Sequence, residues 1–247
     1  MQRRIKTDHL LVGGHSWTFE KNWFNEIYNA KKMTNLSILG AGNRFICDSV
    51  IDYLIEDDSV DKVFICLSGL IRMDIPLPKK VKPDWKFLST TAKSFTGDTD
   101  HSTYHTNQMA PWRGKDIKLP VETELVRLQY QEKNYNSVKS QSLLSVIHLQ
   151  NFLKVKGIDY RFSFMYDYSN QDFDHNHLSG EGKGDFSTLG SVSSDNKLLA
   201  QIDRSFVLEP AGLDWALRQD DDLFSDGMHL TAEGYNRWAR ELLKSYK

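Results

Sequence analysis

An aspartate and a histidine stand three residues apart near the C-terminal end of the chain, in the stretch DGMHLTAEGY (residues 226–235). A carboxylate beside an imidazole can hold that ring in the orientation in which it takes a proton from a nucleophile. His229 is therefore a candidate base, and Asp226 is its candidate orienting group. Taken alone, the pair fits a turn ahead of a helix better, because both residue types are common there. Whether the pair is catalytic or only part of a turn depends on whether the chain has a nucleophile elsewhere.

A serine that could be this nucleophile follows the first apolar run, in LLVGGHSWTF (residues 10–19). A glycine-assisted turn between a strand and a helix leaves a serine hydroxyl exposed and its own N–H free. Ser16 is thus a candidate nucleophile, although by itself it fits an ordinary helix N-cap better. A second turn, GAGN (residues 40–43), offers the Gly42 N–H to a developing oxyanion, or is a plain tight turn.

Strands that alternate with helices must position these residues. Apolar runs predict strands at His9–Val12, Leu36–Leu39, Lys62–Leu67 and Ile158–Tyr166. Helical spacing of apolar residues predicts helices near Asn22–Tyr28, at Ile46–Ile55, at Ser140–Lys156 and after the N-cap Thr231. This order predicts a doubly wound, three-layer α/β/α sandwich with a mostly parallel sheet. The turns after the strands then meet at one edge of the sheet, where ligands bind in such folds.

Two stretches interrupt this alternation. Residues 72–122 hold five of the six prolines and show little periodicity, and residues 167–195 are rich in Gly, Ser, Asp and Asn. Connections this long in a compact domain are usually lids, insertions or functional loops. We therefore predict a single domain over residues 1–247 with long loops at about 72–122 and 167–195.

The composition excludes several classes of function. The net charge is −2, so the chain lacks the excess of basic residues that is typical of nucleic-acid-binding proteins. No apolar run approaches the length of about 20 residues that crosses a bilayer, and the N-terminus does not resemble a secretory signal. The two cysteines cannot form a disulfide framework. These features predict a cytoplasmic or virion-associated protein that binds neither nucleic acid nor membrane, and they leave its oligomeric state open.

The stretch DFDHNH (residues 172–177) is the strongest candidate for a metal site. Its Asp-x-Asp-x-Asn spacing resembles the start of a calcium loop, but His177 stands where the sixth position requires glycine, and no glutamate falls at the twelfth. The His-x-His pair has no third zinc ligand at the usual spacing. We therefore predict a solvated loop here, no metal site and no cofactor.

Together, the three turns resemble those of the SGNH/GDSL hydrolase family. That family has a Gly-Asp-Ser nucleophile motif near its N-terminus, an oxyanion glycine after the second strand and Asp-x-x-His before the last helix. Here Ser16 matches the nucleophile, with His15 in place of the aspartate, and Gly42 matches the oxyanion donor. Asp226 and His229 match the last motif, which is the most specific of the three.

One family position departs from the pattern. The third element, CLSGLIRMD, keeps Gly69 but has Ile71 where the family's Gly-x-Asn asparagine would stand. An isoleucine side chain cannot donate a hydrogen bond, so one expected oxyanion donor is missing. Asn43, next to Gly42, could replace it, and Arg72 is a second candidate unless it forms an ion pair with Asp74.

The resemblance implies a flavodoxin-like fold and a cofactor-independent serine esterase. Its substrate would be a small acyl ester, for which the family suggests an O-acetyl group on a glycan. Two alternatives use the same fold: an O-acyltransferase with the same triad, and a catalytically inactive glycan-binding or structural module. The missing family asparagine keeps the second alternative open.

Overall fold

The computed structural model describes residues 3–19, 22–38, 40–70, 72–76, 87–92, 104–109, 135–169, 192–219, 223–226 and 229–246. The strands are β1 (Ile5–Gly13), β2 (Tyr28–Asn35), β3 (Lys62–Leu67), β4 (Met73–Pro76), β5 (Phe87–Ala92), β6 (Tyr104–Met109), β7 (Asp159–Phe164), β8 (Val207–Leu208), β9 (Phe224–Asp226) and β10 (His229–Leu230). The α-helices are α1 (Asn43–Glu56), α2 (Tyr135–Lys156), α3 (Gly212–Ala216) and α4 (Ala232–Ser245).

Five strands form the central sheet, in the order β2-β1-β3-β7-β8, and every neighbouring pair is parallel. Counted along the chain, this is the strand order 2-1-3-4-5 of the flavodoxin-like doubly wound fold. The predicted fold class is confirmed. The direction of winding reverses between β1 and β3, so the crevice that such folds use for ligands opens at the carboxyl ends of these two strands.

Helical segments cover both faces of the sheet. On one face, Phe64 of β3 contacts Trp23, with ring centroids 5.5 Å apart, and Trp23 contacts Trp238 of α4 at 4.9 Å. On the other face, β1 ends against α1 so closely that a Cβ at Gly13 would lie 2.7 Å from Val50 Cγ2. Helix α1 in turn packs against α2. The apolar core therefore lies in two layers, one on each side of the sheet.

The second strand differs from the prediction. It is Tyr28–Asn35 rather than Leu36–Leu39, and the predicted helix near Asn22 is a single 3-10 turn, Trp23–Glu26. β2 is an edge strand with mostly exposed or half-buried side chains. Because few of its residues are buried, its sequence YNAKKMTN lacks the apolar run that reveals an interior strand.

Elements with strong local patterns match their predictions. β3 has the predicted bounds, Lys62–Leu67, and α1 and α2 contain the predicted helical stretches. Thr231 caps α4, because its side-chain oxygen accepts a hydrogen bond from the Gly234 N–H at 3.1 Å.

Part of the predicted loop at residues 72–122 is an inserted sheet. β4, β5 and β6 form an antiparallel sheet in that order, so the prediction of a loop is wrong for these three strands. The remainder of that stretch, and residues 170–191 of the second predicted loop, lie outside the described residues. Among the helices that the structure describes, none combines the length and the apolarity that a bilayer span requires.

Candidate active site

Ser16 lies in a tight turn directly after β1. The His15 carbonyl oxygen accepts hydrogen bonds from the backbone N–H groups of Thr18 and Phe19, both at 2.9 Å, and from the Thr18 hydroxyl at 3.1 Å. Gly14 is required here, because a Cβ at this position would overlap Thr18 Oγ1. Ser16 itself is partly exposed. The turn therefore presents this serine at the carboxyl end of β1, beside the β1–β3 crevice.

The chain after β2 braces this turn. Asn35 Nδ2 donates to the Thr18 carbonyl oxygen at 2.8 Å, and the Ile38 N–H donates to the Gly14 carbonyl oxygen at 3.2 Å. The turns that follow the first two strands are thus joined by hydrogen bonds. Sequence reasoning missed Asn35 because it placed the second strand too late in the chain.

The C-terminal helix packs against the residue next to Ser16. Trp17 is fully buried, and its ring contacts Tyr235 and Trp238 of α4 with centroids 5.6 Å and 5.3 Å apart. Gly212 of α3 also lies against the Trp17 ring, so closely that a Cβ there would overlap it. This packing brings the segment that precedes α4 to the same end of the sheet as Ser16.

Asp226 and His229 lie opposite each other in the backbone register of the antiparallel strands β9 and β10. They are direct Cα partners in the pairing of β9 with β10. Residues opposite each other in an antiparallel pair have Cα atoms about 4.5–5.5 Å apart. His229 is partly exposed, and its charge is near enough to influence the titration of His15, the neighbour of Ser16. The structure thus places the predicted base opposite its predicted orienting group, just before the helix whose Tyr235 and Trp238 contact Trp17.

His15, which takes the place of the family aspartate, is an uncharged imidazole. It is fully buried, and its Nε2 lies 3.7 Å from the Sγ of Cys66. Burial first, and then the nearby positive charges of Arg72 and His229, hold the pKa of the His15 imidazole well below its usual value. A neutral ring therefore lies behind the nucleophile turn near pH 7.

Gly42 does not offer its N–H to an oxyanion in this structure. The Gly42 N–H donates to Asp74 Oδ1 at 2.9 Å, and the Phe45 N–H donates to Asp74 Oδ2 at 2.9 Å. The buried Asp74 carboxylate, which comes from β4, thereby caps the N-terminus of α1. The oxyanion role predicted for Gly42 needs correction, because this donor is already bound by a carboxylate.

Asn43 is also placed differently from the prediction. Its side chain is fully buried, and its Nδ2 donates to the Ser68 carbonyl oxygen at 3.1 Å, to Ser142 Oγ at 2.8 Å and to the Tyr168 hydroxyl at 3.0 Å. Its Oδ1 accepts the Ser68 N–H at 2.7 Å. The geometry therefore gives Asn43 a structural role: it joins α1 to the chain after β3, to α2 and to the chain after β7.

Arg72 is the third of the candidates for an oxyanion donor. It is partly exposed, its Nη1 donates to the Ala41 carbonyl oxygen at 3.2 Å, and its charge acts on the buried His15. Ile71, the departure from the family pattern, lies outside the described residues.

The described residues contain no group of three or more His, Cys, Asp or Glu side chains arranged to hold a metal ion. The DFDHNH stretch (residues 172–177) lies outside them. The sequence prediction that no metal binds there stays a prediction.

The cap from Asp74 can be tested by substitution with asparagine. Asp74→Asn keeps one acceptor oxygen, but it removes the negative charge and leaves either Gly42 or Phe45 without an acceptor. We expect the free energy of unfolding in urea to fall by about 1–2 kcal/mol. Asp48→Asn, a partly exposed position on α1, is the control and should stay within about 0.5 kcal/mol of the wild type. If the two variants were equally stable, the interpretation of Asp74 as the helix cap would be wrong.

Comparison with protein-family models finds no match, and comparison with curated proteins finds none. Among solved structures, the chain is similar to a catalytic mutant of Axe2, an acetylxylan esterase from Geobacillus stearothermophilus, with a TM-score of 0.46 and 12% identity over 100% of this chain and 96% of that chain. It is also similar to a protein from Streptococcus pneumonia provisionally named a platelet activating factor, with a TM-score of 0.37 and 12% identity over 98% and 85% of the two chains. At this distance, the chemistry of the site must be inferred from its own geometry.

Proposed function

We propose that this protein is a serine esterase that acts on small acyl esters, with Ser16, His229 and Asp226 as its triad. The observation that carries the proposal is the position of Ser16. It lies in a tight turn at the carboxyl end of β1, at the switch point of the sheet, and the adjoining Trp17 packs against α4, which begins three residues after His229. A nucleophile and a base at this edge are the minimal parts of an acyl-transfer site.

In the proposed reaction, Ser16 Oγ attacks the ester carbonyl carbon while His229 takes the hydroxyl proton. The tetrahedral intermediate collapses when His229 returns that proton to the departing alcohol oxygen, which leaves an acyl group on Ser16. A water molecule then repeats the sequence and releases the acid. Asp226, opposite His229 in the hairpin register, would hold the imidazole in the required tautomer and stabilise its protonated form.

The oxyanion would be stabilised by the Ser16 N–H and the Arg72 guanidinium. The Ser16 N–H donates to none of the residues that the structure describes. Arg72 would supply positive charge near the same turn, as its influence on His15 suggests. This pair would take the place of Gly42 and Asn43, which are bound elsewhere.

For the substrate, we propose an O-acetyl group on a glycan, a class that the resemblance to SGNH hydrolases suggests. An acyltransferase would use the same acyl-enzyme with a sugar hydroxyl in place of water. The two reactions differ only in the group that accepts the acyl chain, so product analysis with and without added saccharide distinguishes them.

The proposal is tested by labelling the protein with a fluorophosphonate and mapping the modified residue by mass spectrometry. A phosphonate traps a serine that an adjacent base has activated. We expect one labelled residue, Ser16, and hydrolysis of p-nitrophenyl acetate by the unlabelled protein. A folded protein that resists labelling and does not hydrolyse this ester would favour the non-catalytic binding module.

A further inference from the structure

A cavity opens along the same edge of the sheet as Ser16. It has a volume of about 370 Å³ and lies past the carboxyl ends of β7 and β8, where Phe164 and Leu208 line it. Small-molecule pockets begin at roughly 300 Å³, so the volume is enough for a compact ligand. Two inter-strand spacings, about 10 Å in all, separate the β7–β8 ends from the β1–β3 crevice that holds Ser16.

Two arginines supply hydrogen-bond donors to this cavity. Arg204 and Arg218 both line it, both are exposed, and neither forms an ion pair with another described residue. The Arg204 guanidinium lies over the Phe164 ring, 5.5 Å from the ring centroid, which holds it at the cavity wall. Unpaired guanidinium groups present fixed N–H donors to a ligand.

Three carboxylates supply acceptors to the same space. Asp167, Glu209 and Asp214 line the cavity together with the arginines. Asp214 is 8% exposed, and its Oδ2 accepts the Asp167 N–H at 2.8 Å, so this carboxylate is held in place. Three negative groups beside two positive ones disfavour an anionic ligand. A mixture of donors and acceptors instead suits hydroxyl groups, because each hydroxyl both donates and accepts.

We propose that this cavity binds the sugar portion of the substrate, with neutral vicinal hydroxyls held between the arginines and the carboxylates. The separation of about 10 Å then lets one molecule place its acyl ester at Ser16 and a sugar ring in the cavity. This inference rests on the proposed esterase function for the position of the acyl group. The binding of the sugar itself is independent of that chemistry.

Binding is measured first, without any turnover. Saturation-transfer NMR with cellobiose, xylobiose and chitobiose, and with glucuronic acid as the anionic probe, is recorded on the wild type and on Ser16→Ala. We expect a neutral disaccharide to bind both proteins equally and to bind Arg218→Ala roughly tenfold more weakly. Arg240→Ala is the matched control, because it removes an exposed arginine of α4 that pairs with Glu26. This variant should bind as the wild type does.

Three results would overturn the proposal: no binding of any neutral disaccharide, stronger binding of glucuronic acid, or unchanged binding by Arg218→Ala.

A kinetic experiment then links the cavity to the ester site. Arg218→Ala should raise KM for the acetylated form of the bound disaccharide by about tenfold and leave p-nitrophenyl acetate hydrolysis unchanged. If neither ester is hydrolysed but the disaccharide still binds, the proposed esterase function fails and the sugar site stands.

Discussion

Replacing Ser16 by alanine is expected to lower kcat for p-nitrophenyl acetate by about 10⁴-fold or more. The substitution removes the only atom proposed to bond to the acyl group. Ser16 is partly exposed and its hydroxyl has no hydrogen bond to another described residue, so stability should change by no more than about 0.5 kcal/mol. Steady-state kinetics and thermal melting of the same preparations measure both effects.

The partner substitution makes this test specific to a triad. His229→Ala should cost a similar factor in kcat, and the double variant should cost little more than either single change, because nucleophile and base act as one unit. Ser49→Ala, a serine of α1 that donates to the Ile46 carbonyl oxygen, controls for the loss of a hydroxyl. Multiplicative losses in the double variant, or a Ser16→Ala protein with normal kcat, would contradict the proposed mechanism.

Asn43→Asp is expected to be the most destabilising of the single substitutions considered for this site. The change replaces a fully buried amide donor by a carboxylate that faces the Ser68 carbonyl oxygen and the hydroxyls of Ser142 and Tyr168. A carboxylate has no proton to donate to that carbonyl oxygen, and burying its charge is costly. We expect the free energy of unfolding at pH 7 to fall by about 3–5 kcal/mol, measured in urea.

The pH dependence separates the buried charge from the lost hydrogen bonds. Burial should raise the pKa of the new aspartate in the folded state above its ordinary value of about 3.9. The folded protein then binds the proton more tightly, so the variant approaches the wild type below about pH 4 and loses stability as the pH rises. Asn29→Asp, at an exposed position of β2, should show neither effect. A normal melting temperature for Asn43→Asp with a large fall in kcat would restore the oxyanion role for Asn43.

Several features of this protein could be predicted because short segments determine them. The apolar run of β3 identifies a strand buried on both faces, and Thr231 followed by helical spacing identifies the start of α4. The glycines before Ser16 predicted a tight turn after the first strand, and the structure has that turn. In each case the signal is a hydrogen bond or a burial pattern within a few residues, which the order of amino acids alone determines.

Other features depended on partners far away along the chain. Gly42 and Asn43 form a plausible oxyanion turn in the sequence, yet their hydrogen-bonding groups are bound by Asp74 of the inserted sheet and by Ser68, Ser142 and Tyr168. β2 has no apolar run that would identify it as a strand in the sequence. Only its pairing with β1 shows that it is one. A buried polar group bonds to whichever partner the fold brings near it, so only the tertiary structure decided which donors remain available at the edge of the sheet beside Ser16.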